Sequence, residues 1–298
     1  MREVAVAATQ RTLGAALRQA TADLRRAGIE GAGDDARRLL AAALPLSAAQ
    51  LLSRPERPLR TVERERFGRS IARRIAREPV SRILGGRDFY GRTFAISPAT
   101  LDPRPDSETL VGAVLELAGS EGWLQRPLRI LDVGTGSGCL LLTLLAELPH
   151  ASGIGTDASA AALHVARTNA RQLGVSQRTQ WLAADVLEAV RGPFDILISN
   201  PPYIPTQEIA QLDPEVRCFD PPLALDGGED GLRFFRRLVA GIPSAVPNGW
   251  VVLEVGHEQA GAVAALLASQ LPVRGDGDIR FYRDVAGRER CVAARARN

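Results

Sequence analysis

The chain has 298 residues, 45% of them hydrophobic, and a formal net charge of +3, so it can fold into a large α/β domain and a smaller one, and extensive disorder is excluded. No run approaches the roughly 18 apolar residues of a membrane span, and the N-terminus lacks the apolar core of a signal peptide. Cys139, Cys218 and Cys291 lie far apart without nearby histidines, so we expect reduced thiols, no metal site, and a cytoplasmic protein that does not contact membranes.

The first part of the chain is helical in pattern and basic. Residues 1–100 contain 19 arginines and 10 acidic residues, a net charge of +9, whereas residues 101–298 carry a net charge of −6. Two readings stay open: a domain that faces an electronegative partner, or an ordinary solvated helical surface. We predict a small helical bundle over residues 1–84 because apolar side chains recur there at helical spacing. Examples are Leu13, Leu17, Leu24, Leu39, Leu40, Phe67, Ile71 and Ile75.

Alternating apolar and polar residues around Gly91, in RDFYGRTFAIS (87–97), predict a β-hairpin, and we place the link between two domains at residues 85–100. Residues 101–298 then alternate buried-strand patterns with helical patterns, which is typical of a parallel sheet covered on both faces. The predicted strands are 128–133, 153–157, 179–184, 194–199 and 249–255, and the predicted helices are 140–148, 159–173, 230–242 and 257–271. The C-terminal residues around Gly287 predict an antiparallel hairpin at the sheet edge.

A glycine-rich turn follows the first predicted strand of this region. Its residues are Asp132, Val133, Gly134, Thr135, Gly136, Ser137 and Gly138, and a helix comes next. Glycines let the backbone turn sharply and approach a ligand, although they also permit tight helix–strand packing. Asp157 ends the second strand, where its carboxylate can accept ribose hydroxyls, and Asp185 after the third strand can read an adenine edge. The turn offers no cation for phosphate, so S-adenosylmethionine fits better than a dinucleotide.

The tetrapeptide Asn200-Pro201-Pro202-Tyr203 follows the fourth strand at the same sheet edge. The Asn200 side-chain oxygen and the Pro201 carbonyl can each accept one N–H of an NH₂ group, while the prolines stiffen the backbone. Two acceptors stabilise positive charge on the nitrogen as a methyl group arrives, and they orient its lone pair. Tyr203 would pack against the planar group. The segment therefore predicts methylation of a planar nitrogen; the alternative is a rigid Pro-Pro turn without chemistry.

Several further segments carry a specific resemblance. They are EPVSRILGGRDFYGRTFAI (78–96), PRPDSETLV (103–111), ILDVGTGSGCLLL (130–142), DPPLALDGGEDGL (220–232) and LEVGHEQ (253–259). Together with NPPYI they make the chain resemble the HemK/PrmC family, the N5-glutamine methyltransferases of peptide chain release factors. The NPPY motif alone is shared with adenine methyltransferases, so the other segments carry the specificity.

The resemblance implies an α/β fold: a seven-stranded Rossmann-like class I methyltransferase sheet with a small N-terminal helical domain, joined by a β-hairpin. It implies S-adenosylmethionine as cofactor, without a metal, and class 1 release factors as partners, methylated at the glutamine of their Gly-Gly-Gln motif. The cofactor would contact Gly134, Thr135, Gly136, Ser137, Gly138, Asp157, Val186 and Asn200. The substrate glutamine would contact Asn200, Pro201, Pro202 and Tyr203, with Asn200, Pro201 and Tyr203 as the catalytic set, and the basic domain would recognise the substrate.

Three positions raise questions within this resemblance. Val186 stands where some family members carry an aromatic residue, which argues against adenine stacking there. Asp102 stands where an apolar residue is usual. Glu108 can either line the cofactor pocket or act as a carboxylate at a helix start.

Two other methyltransferase activities remain as alternatives. A ribosomal-protein glutamine methyltransferase is disfavoured by the segment 103–108, since its members lack the PRPxxE pattern. An adenine-N6 nucleic-acid methyltransferase would need a target-reading module and base-stacking aromatic residues, which the first hundred residues offer mainly within the hairpin. We therefore expect a monomeric enzyme that does not require nucleic acid.

Overall fold

The computed structural model describes residues 12–44, 46, 48–272, 275 and 277–297, with the side chains of residues 48 and 52 left out. Residues 1–11, at the start of the predicted helical bundle, lie outside the described residues. The chain divides into two compact units, Met1–Gly85 and Gly86–Asn298. Among the described residues, no helix is both long and apolar enough to cross a membrane.

The first unit is helical. Its helices are α1 (Leu13–Arg26), α2 (Ala32–Ala43), α3 (Ala48–Ser53), α4 (Thr61–Ile75) and α5 (Val80–Leu84). Helix α1 begins where the Thr12 side chain accepts a hydrogen bond from the Ala15 amide at 3.3 Å, which satisfies one of its free N–H groups. Leu24, Leu39 and Phe67 from three helices form one buried cluster, as their helical spacing predicts.

Several arginines of this unit are engaged in ion pairs within it. Glu63 is buried, and although burial raises its pKa, hydrogen bonds from Arg57 and Arg60 outweigh that effect and lower the pKa to about 2. Arg74 is also buried and donates to Asp35 at 2.7 Å. The number of free positive charges in this unit is therefore smaller than the arginine count suggests.

The second unit begins with the predicted hairpin and continues into the sheet domain. Its strands are β1 (Gly86–Phe89), β2 (Arg92–Ala95), β3 (Arg129–Val133), β4 (Ser152–Asp157), β5 (Thr179–Ala183), β6 (Ile196–Ser199), β7 (Ile204–Pro205), β8 (Asp226–Gly228), β9 (Asn248–Glu254), β10 (Ile279–Arg283) and β11 (Glu289–Arg297). Its helices are α6 (Glu108–Ser120), α7 (Cys139–Glu147), α8 (Ala160–Gln172), α9 (Pro214–Arg217), α10 (Arg233–Ala245) and α11 (Ala260–Gln270).

In the described part of the chain, seven strands form the main sheet in the order β10-β11-β9-β6-β3-β4-β5. Strands β9, β6, β3, β4 and β5 pair in parallel, and β11 is antiparallel to both of its neighbours. The predicted fold class and the predicted C-terminal edge hairpin are thus confirmed. The short β7–β8 pair, Ile204–Pro205 with Asp226–Gly228, was not predicted, because strands of two and three residues have no readable period.

Alternation along each strand explains why helices cover both faces of the sheet. On β6, Ile196 and Ile198 belong to one buried cluster together with residues of α6 and α7, whereas Leu197 belongs to a second cluster with residues of α10 and α11. Successive side chains of a strand point to opposite faces, so a strand with apolar side chains on both faces needs helices on both.

The strand order reverses between β3 and β6, and this places the site. From β3 the chain proceeds outward through β4 and β5, then returns to β6 on the other side of β3. In open parallel sheets, the loops that leave such a switch point diverge and open a crevice at the carboxyl ends of the strands. The glycine turn follows β3 and Asn200 follows β6, so both flank this crevice.

Candidate active site

The glycine turn is fixed by backbone hydrogen bonds to the neighbouring strand. The amides of Gly134 and Thr135 both donate to the Thr156 carbonyl, at 2.9 and 2.8 Å. At the end of the turn Gly138 has φ 79°, and a Cβ there would lie 3.2 Å from Ala166 and from the Trp181 ring. A side chain at this position would therefore strain the backbone and crowd two packed neighbours.

Asp157 reaches the turn from the end of β4. Its Oδ2 accepts the Gly136 amide at 2.9 Å and its Oδ1 accepts the Ser159 amide at 2.8 Å. Burial raises the pKa of this carboxyl, and the two amide donors act against that rise. Each carboxylate oxygen has further lone pairs, so both can still accept a ligand hydroxyl.

Asp132 lies near the end of β3, just before the glycine turn, and supports the turn through a hydrogen bond. Its Oδ2 accepts the Thr135 hydroxyl at 2.6 Å, while its buried Oδ1 has no hydrogen-bond partner within the described residues. Burial raises the pKa of Asp132 to about 7, and the charge of Asp157 adds to the rise. Asp132 does not line the cavity described next, so we assign it a supporting role.

A cavity of about 230 Å³ lies at this edge of the sheet. The residues predicted from the sequence that line it are Gly134, Thr135, Gly136, Ser137, Asp157, Asp185, Val186, Asn200 and Pro202. Gly138, Pro201 and Tyr203 do not belong to the lining. Arg104 contributes a cation to the lining, and Leu101, Leu140 and Phe234 contribute apolar surface. A largely apolar cleft with the carboxylates of Asp157 and Asp185 suits an adenosyl ligand without phosphate, so the residues present fit S-adenosylmethionine.

The NPPY segment is clamped by residues of 220–232 and 253–259, two segments whose role the sequence did not indicate. Gln259 donates from Nε2 to the Tyr203 carbonyl at 2.9 Å, and its Oε1 accepts the Gly256 amide at 3.0 Å. A Cβ on Gly231 would lie 2.4 Å from the Tyr203 carbonyl oxygen, so only glycine allows this approach. The glycines of 220–232 and the glutamine of 253–259 thus fix the backbone that carries Asn200.

Asn200 is held by polar groups from two other segments. Its Nδ2 donates to the Ser107 hydroxyl oxygen at 3.2 Å. Glu254, at the end of β9, is 1% exposed and lies beside both residues. Burial raises the pKa of Glu254 to about 7, although hydrogen bonds from Ser107 and Asn200 and the charge of Arg290 lower it. Sequence reasoning missed Ser107 and Glu254 as site residues, since the motif segments that contain them gave no chemical signal for either position.

Two of the questions raised by the sequence have structural answers. Glu108 does not line the cavity: its Oε1 accepts the Tyr90 amide at 2.7 Å, which ties the start of α6 to the hairpin. The suggestion that Glu108 faces the cofactor pocket is therefore wrong. Asp102 is buried and lies 3.7 Å from the Arg87 guanidinium, so its charge has a partner.

The two buried carboxyls predict an unusual pH dependence of stability. Asp132 and Glu254 have pKa values of about 7 in the folded protein, against about 4 for an unfolded carboxyl. Between these values the folded state binds more protons, so stability falls as pH rises. We expect the Tm to be several degrees higher at pH 6 than at pH 8, measured by calorimetry. Glu63, with its pKa of about 2, does not titrate in this window.

The Glu254→Gln variant serves as the control for this dependence. It removes one of the two titrating groups, so the difference in Tm between pH 6 and pH 8 should shrink by about half. An unchanged difference would exclude Glu254 as a contributor.

The sequence also matches two domain families and several curated proteins. Residues 15–85 match the PrmC N-terminal domain, and residues 121–212 match the methyltransferase small domain. A release factor glutamine methyltransferase from Bradyrhizobium diazoefficiens is 46% identical over 96% of this chain and 96% of its own length. Another, from Rhodospirillum rubrum, is 47% identical over 92% of this chain and 82% of its own length.

A comparison of folds gives a more distant likeness. The crystal structure of the hMettl16 catalytic domain in complex with the MAT2A 3′UTR hairpin 6 superposes with a TM-score of 0.54. It covers 70% of this chain and 77% of that chain at 16% identity. At this identity the likeness establishes the methyltransferase fold and nothing about the substrate.

Proposed function

This chain belongs to the release factor glutamine methyltransferase family, and we propose that it methylates the N5 amide nitrogen of the glutamine in the Gly-Gly-Gln motif of class 1 peptide chain release factors. The observation that carries the proposal is that Asn200 and the Asp157–glycine turn line the same cavity. A planar amide held at Asn200 would therefore lie beside a ligand bound at the turn.

Some residues of the site bind the cofactor, and others orient the substrate amide. S-adenosylmethionine supplies the methyl group. We assign ribose recognition to Asp157 and close backbone approach to the turn Gly134–Gly138, with Val186 against the adenine. The Asn200 Oδ1 and the Pro201 carbonyl accept the two N–H groups of the substrate amide, which favours positive charge on its nitrogen in the transition state. Tyr203 packs against the amide plane, and the methylated nitrogen then loses a proton to water.

The proposed function also includes an oligomeric state, a cellular location and a set of requirements. We propose that the enzyme acts as a monomer in the cytoplasm, where translation factors are found, and that it requires neither nucleic acid nor a metal ion. Within the described residues, no group of three or more His, Cys, Asp and Glu side chains is arranged to hold a metal ion.

A labelled-methyl assay tests the proposed substrate. The protein is incubated with methyl-labelled S-adenosylmethionine and, separately, a class 1 release factor, ribosomes or DNA. We expect label on the release factor alone and none on a release factor whose Gly-Gly-Gln glutamine is changed to glutamate. Label on a ribosomal protein or on DNA, with the release factor unlabelled, would refute the proposal.

We also propose that the basic first unit contributes to substrate association. Arg66 and Arg69 on α4 are exposed, unlike Arg74. The double reversal Arg66→Glu, Arg69→Glu should raise the KM for the release factor about five- to tenfold at low salt, because charge steering is lost, and the difference should vanish at high salt. The control Arg167→Glu, Arg171→Glu reverses two exposed charges on α8 and should leave KM unchanged. Equal KM values for all three proteins would leave α4 as ordinary surface.

A further inference from the structure

We propose that Glu254 is a positioning residue that determines which end of the Asn200 amide faces the substrate, and that it acts through the Ser107 hydroxyl. This inference rests on the proposed function, because it concerns how Asn200 accepts an N–H of the substrate glutamine. Glu254 does not line the cavity and would not touch the substrate itself.

The contacts form a short chain from Glu254 to the cavity. Glu254 accepts hydrogen bonds from Ser107 and from Asn200, and the Asn200 Nδ2 donates to Ser107 Oγ at 3.2 Å. Among the described residues, no donor reaches Asn200 Oδ1. With Nδ2 turned inward to Ser107 and Glu254, the opposite end of the amide is its acceptor oxygen, and Asn200 lines the cavity.

The direction of the hydrogen bonds between Glu254, Ser107 and Asn200 depends on the carboxylate. A serine hydroxyl can donate or accept, so Ser107 alone would receive either end of the Asn200 amide. When Glu254 is ionised its carboxylate only accepts, so it commits the Ser107 hydrogen to itself and leaves the Ser107 oxygen to accept from Nδ2. Without that acceptor the Asn200 amide can reverse and present an NH₂ group to the substrate NH₂ group. Two donors would then face each other, and the transition state would lose one acceptor.

The surroundings of Glu254 give little structural reason for a carboxyl group there. The side chain is 1% exposed, and its Oε2 has no hydrogen-bond partner among the described residues. A buried, incompletely partnered carboxyl costs stability, and apolar replacements of similar volume are often neutral or stabilising. The Glu254 carboxyl destabilises the fold and lies next to Asn200, so its effect on Asn200 best explains its presence.

The test compares Glu254→Met and Glu254→Gln with the wild-type enzyme. Methionine keeps the volume and removes the acceptor, so kcat should fall about 30- to 100-fold. This is less than the roughly 10²–10³-fold known for removing a transition-state partner outright, because Asn200 remains and is only misoriented part of the time. Glutamine retains one acceptor oxygen, although its amide can rotate and place the NH₂ group there instead. The kcat of Glu254→Gln should therefore be higher than that of Glu254→Met and within about tenfold of wild type. The Kd for S-adenosylmethionine should change little in both variants. The Tm should stay the same or increase.

A matched control removes a carboxylate at the end of α6 that contacts β9 near the start of the strand. Glu121 accepts the Trp250 indole N–H at 3.1 Å and pairs with Arg295, away from the cavity. Glu121→Met should lower the Tm and leave kcat unchanged. If Glu254→Met behaves like this control, Glu254 has a structural role only and the inference is wrong.

A double-mutant cycle shows whether Glu254 acts through Asn200. In an Asn200→Ala background, Glu254→Met should cause no further loss of kcat, since there is no amide left to orient. Additive losses would overturn the inference. The wild-type enzyme in the same assay distinguishes failure of the proposed function from failure of the inference about Glu254. If the wild-type enzyme does not methylate the release factor, the proposed function is refuted instead.

One measurement does not depend on activity. In ¹⁵N-labelled protein, the Asn200 side-chain amide signal, identified by its absence in Asn200→Ala, should exchange with solvent at least about tenfold faster in Glu254→Met, as expected when a buried hydrogen bond is lost. An unchanged exchange rate would overturn the inference even if the natural substrate proved to be different.

Discussion

Replacing Asn200 with alanine should reduce kcat by about 10²–10³-fold while the protein keeps its fold and its affinity for S-adenosylmethionine within about tenfold, because one oriented acceptor of the transition state is lost. The Asn200 side chain contacts Ser107 and Glu254 and not the Gln259 clamp, so its removal leaves the clamp on the NPPY backbone intact. The measurement is single-turnover methylation of a release factor with saturating methyl donor.

The control for this variant is Asn248→Ala at the exposed start of β9. That end of the strand lies opposite the carboxyl edge, and the variant should keep wild-type kcat. Asn200→Asp is informative too: the carboxylate cannot donate to Ser107 and would sit beside Glu254, so it should not restore activity. Full turnover by Asn200→Ala would remove this residue from the reaction.

Asp157→Ala should weaken the binding of S-adenosylmethionine by about 10- to 100-fold. A hydrogen bond to a charged acceptor is worth about 1.5–3 kcal/mol, and the variant also leaves the Gly136 and Ser159 amides without their acceptor. The loss should appear as a raised Kd in titration calorimetry, while kcat at saturating methyl donor should change much less.

Glu188→Ala is the matched control, because Glu188 is exposed and its removal changes the net charge equally. Its Kd for S-adenosylmethionine should equal that of the wild type. If Asp157→Ala also binds with wild-type affinity, the ribose assignment is wrong and the cofactor lies elsewhere in the cavity.

Composition alone does not predict how much basic surface the first unit exposes. Residues 1–100 carry a net charge of +9, but Arg57 and Arg60 neutralise the buried Glu63, and Arg74 pairs with Asp35. A count treats every charge as free, whereas burial and pairing decide which charges a partner meets.

The sequence by itself determined the sheet domain, the glycine turn and the NPPY segment. Each of these is a local pattern: apolar runs specify buried strands, glycines permit the turn, and Asn200 follows directly after β6. The parallel pairing of those strands is enough to bring Asp157, Gly134 and Asn200 to one edge.

Only the tertiary structure decided what surrounds Asn200. Ser107 and Glu254 are separated by more than a hundred residues of chain, and Gln259 fixes Tyr203 from a third segment. The raised pKa of Glu254 comes from burial that no local pattern around it reports. Local sequence encodes backbone conformation, whereas the polarity and protonation of a buried group depend on neighbours that only the folded chain brings into contact.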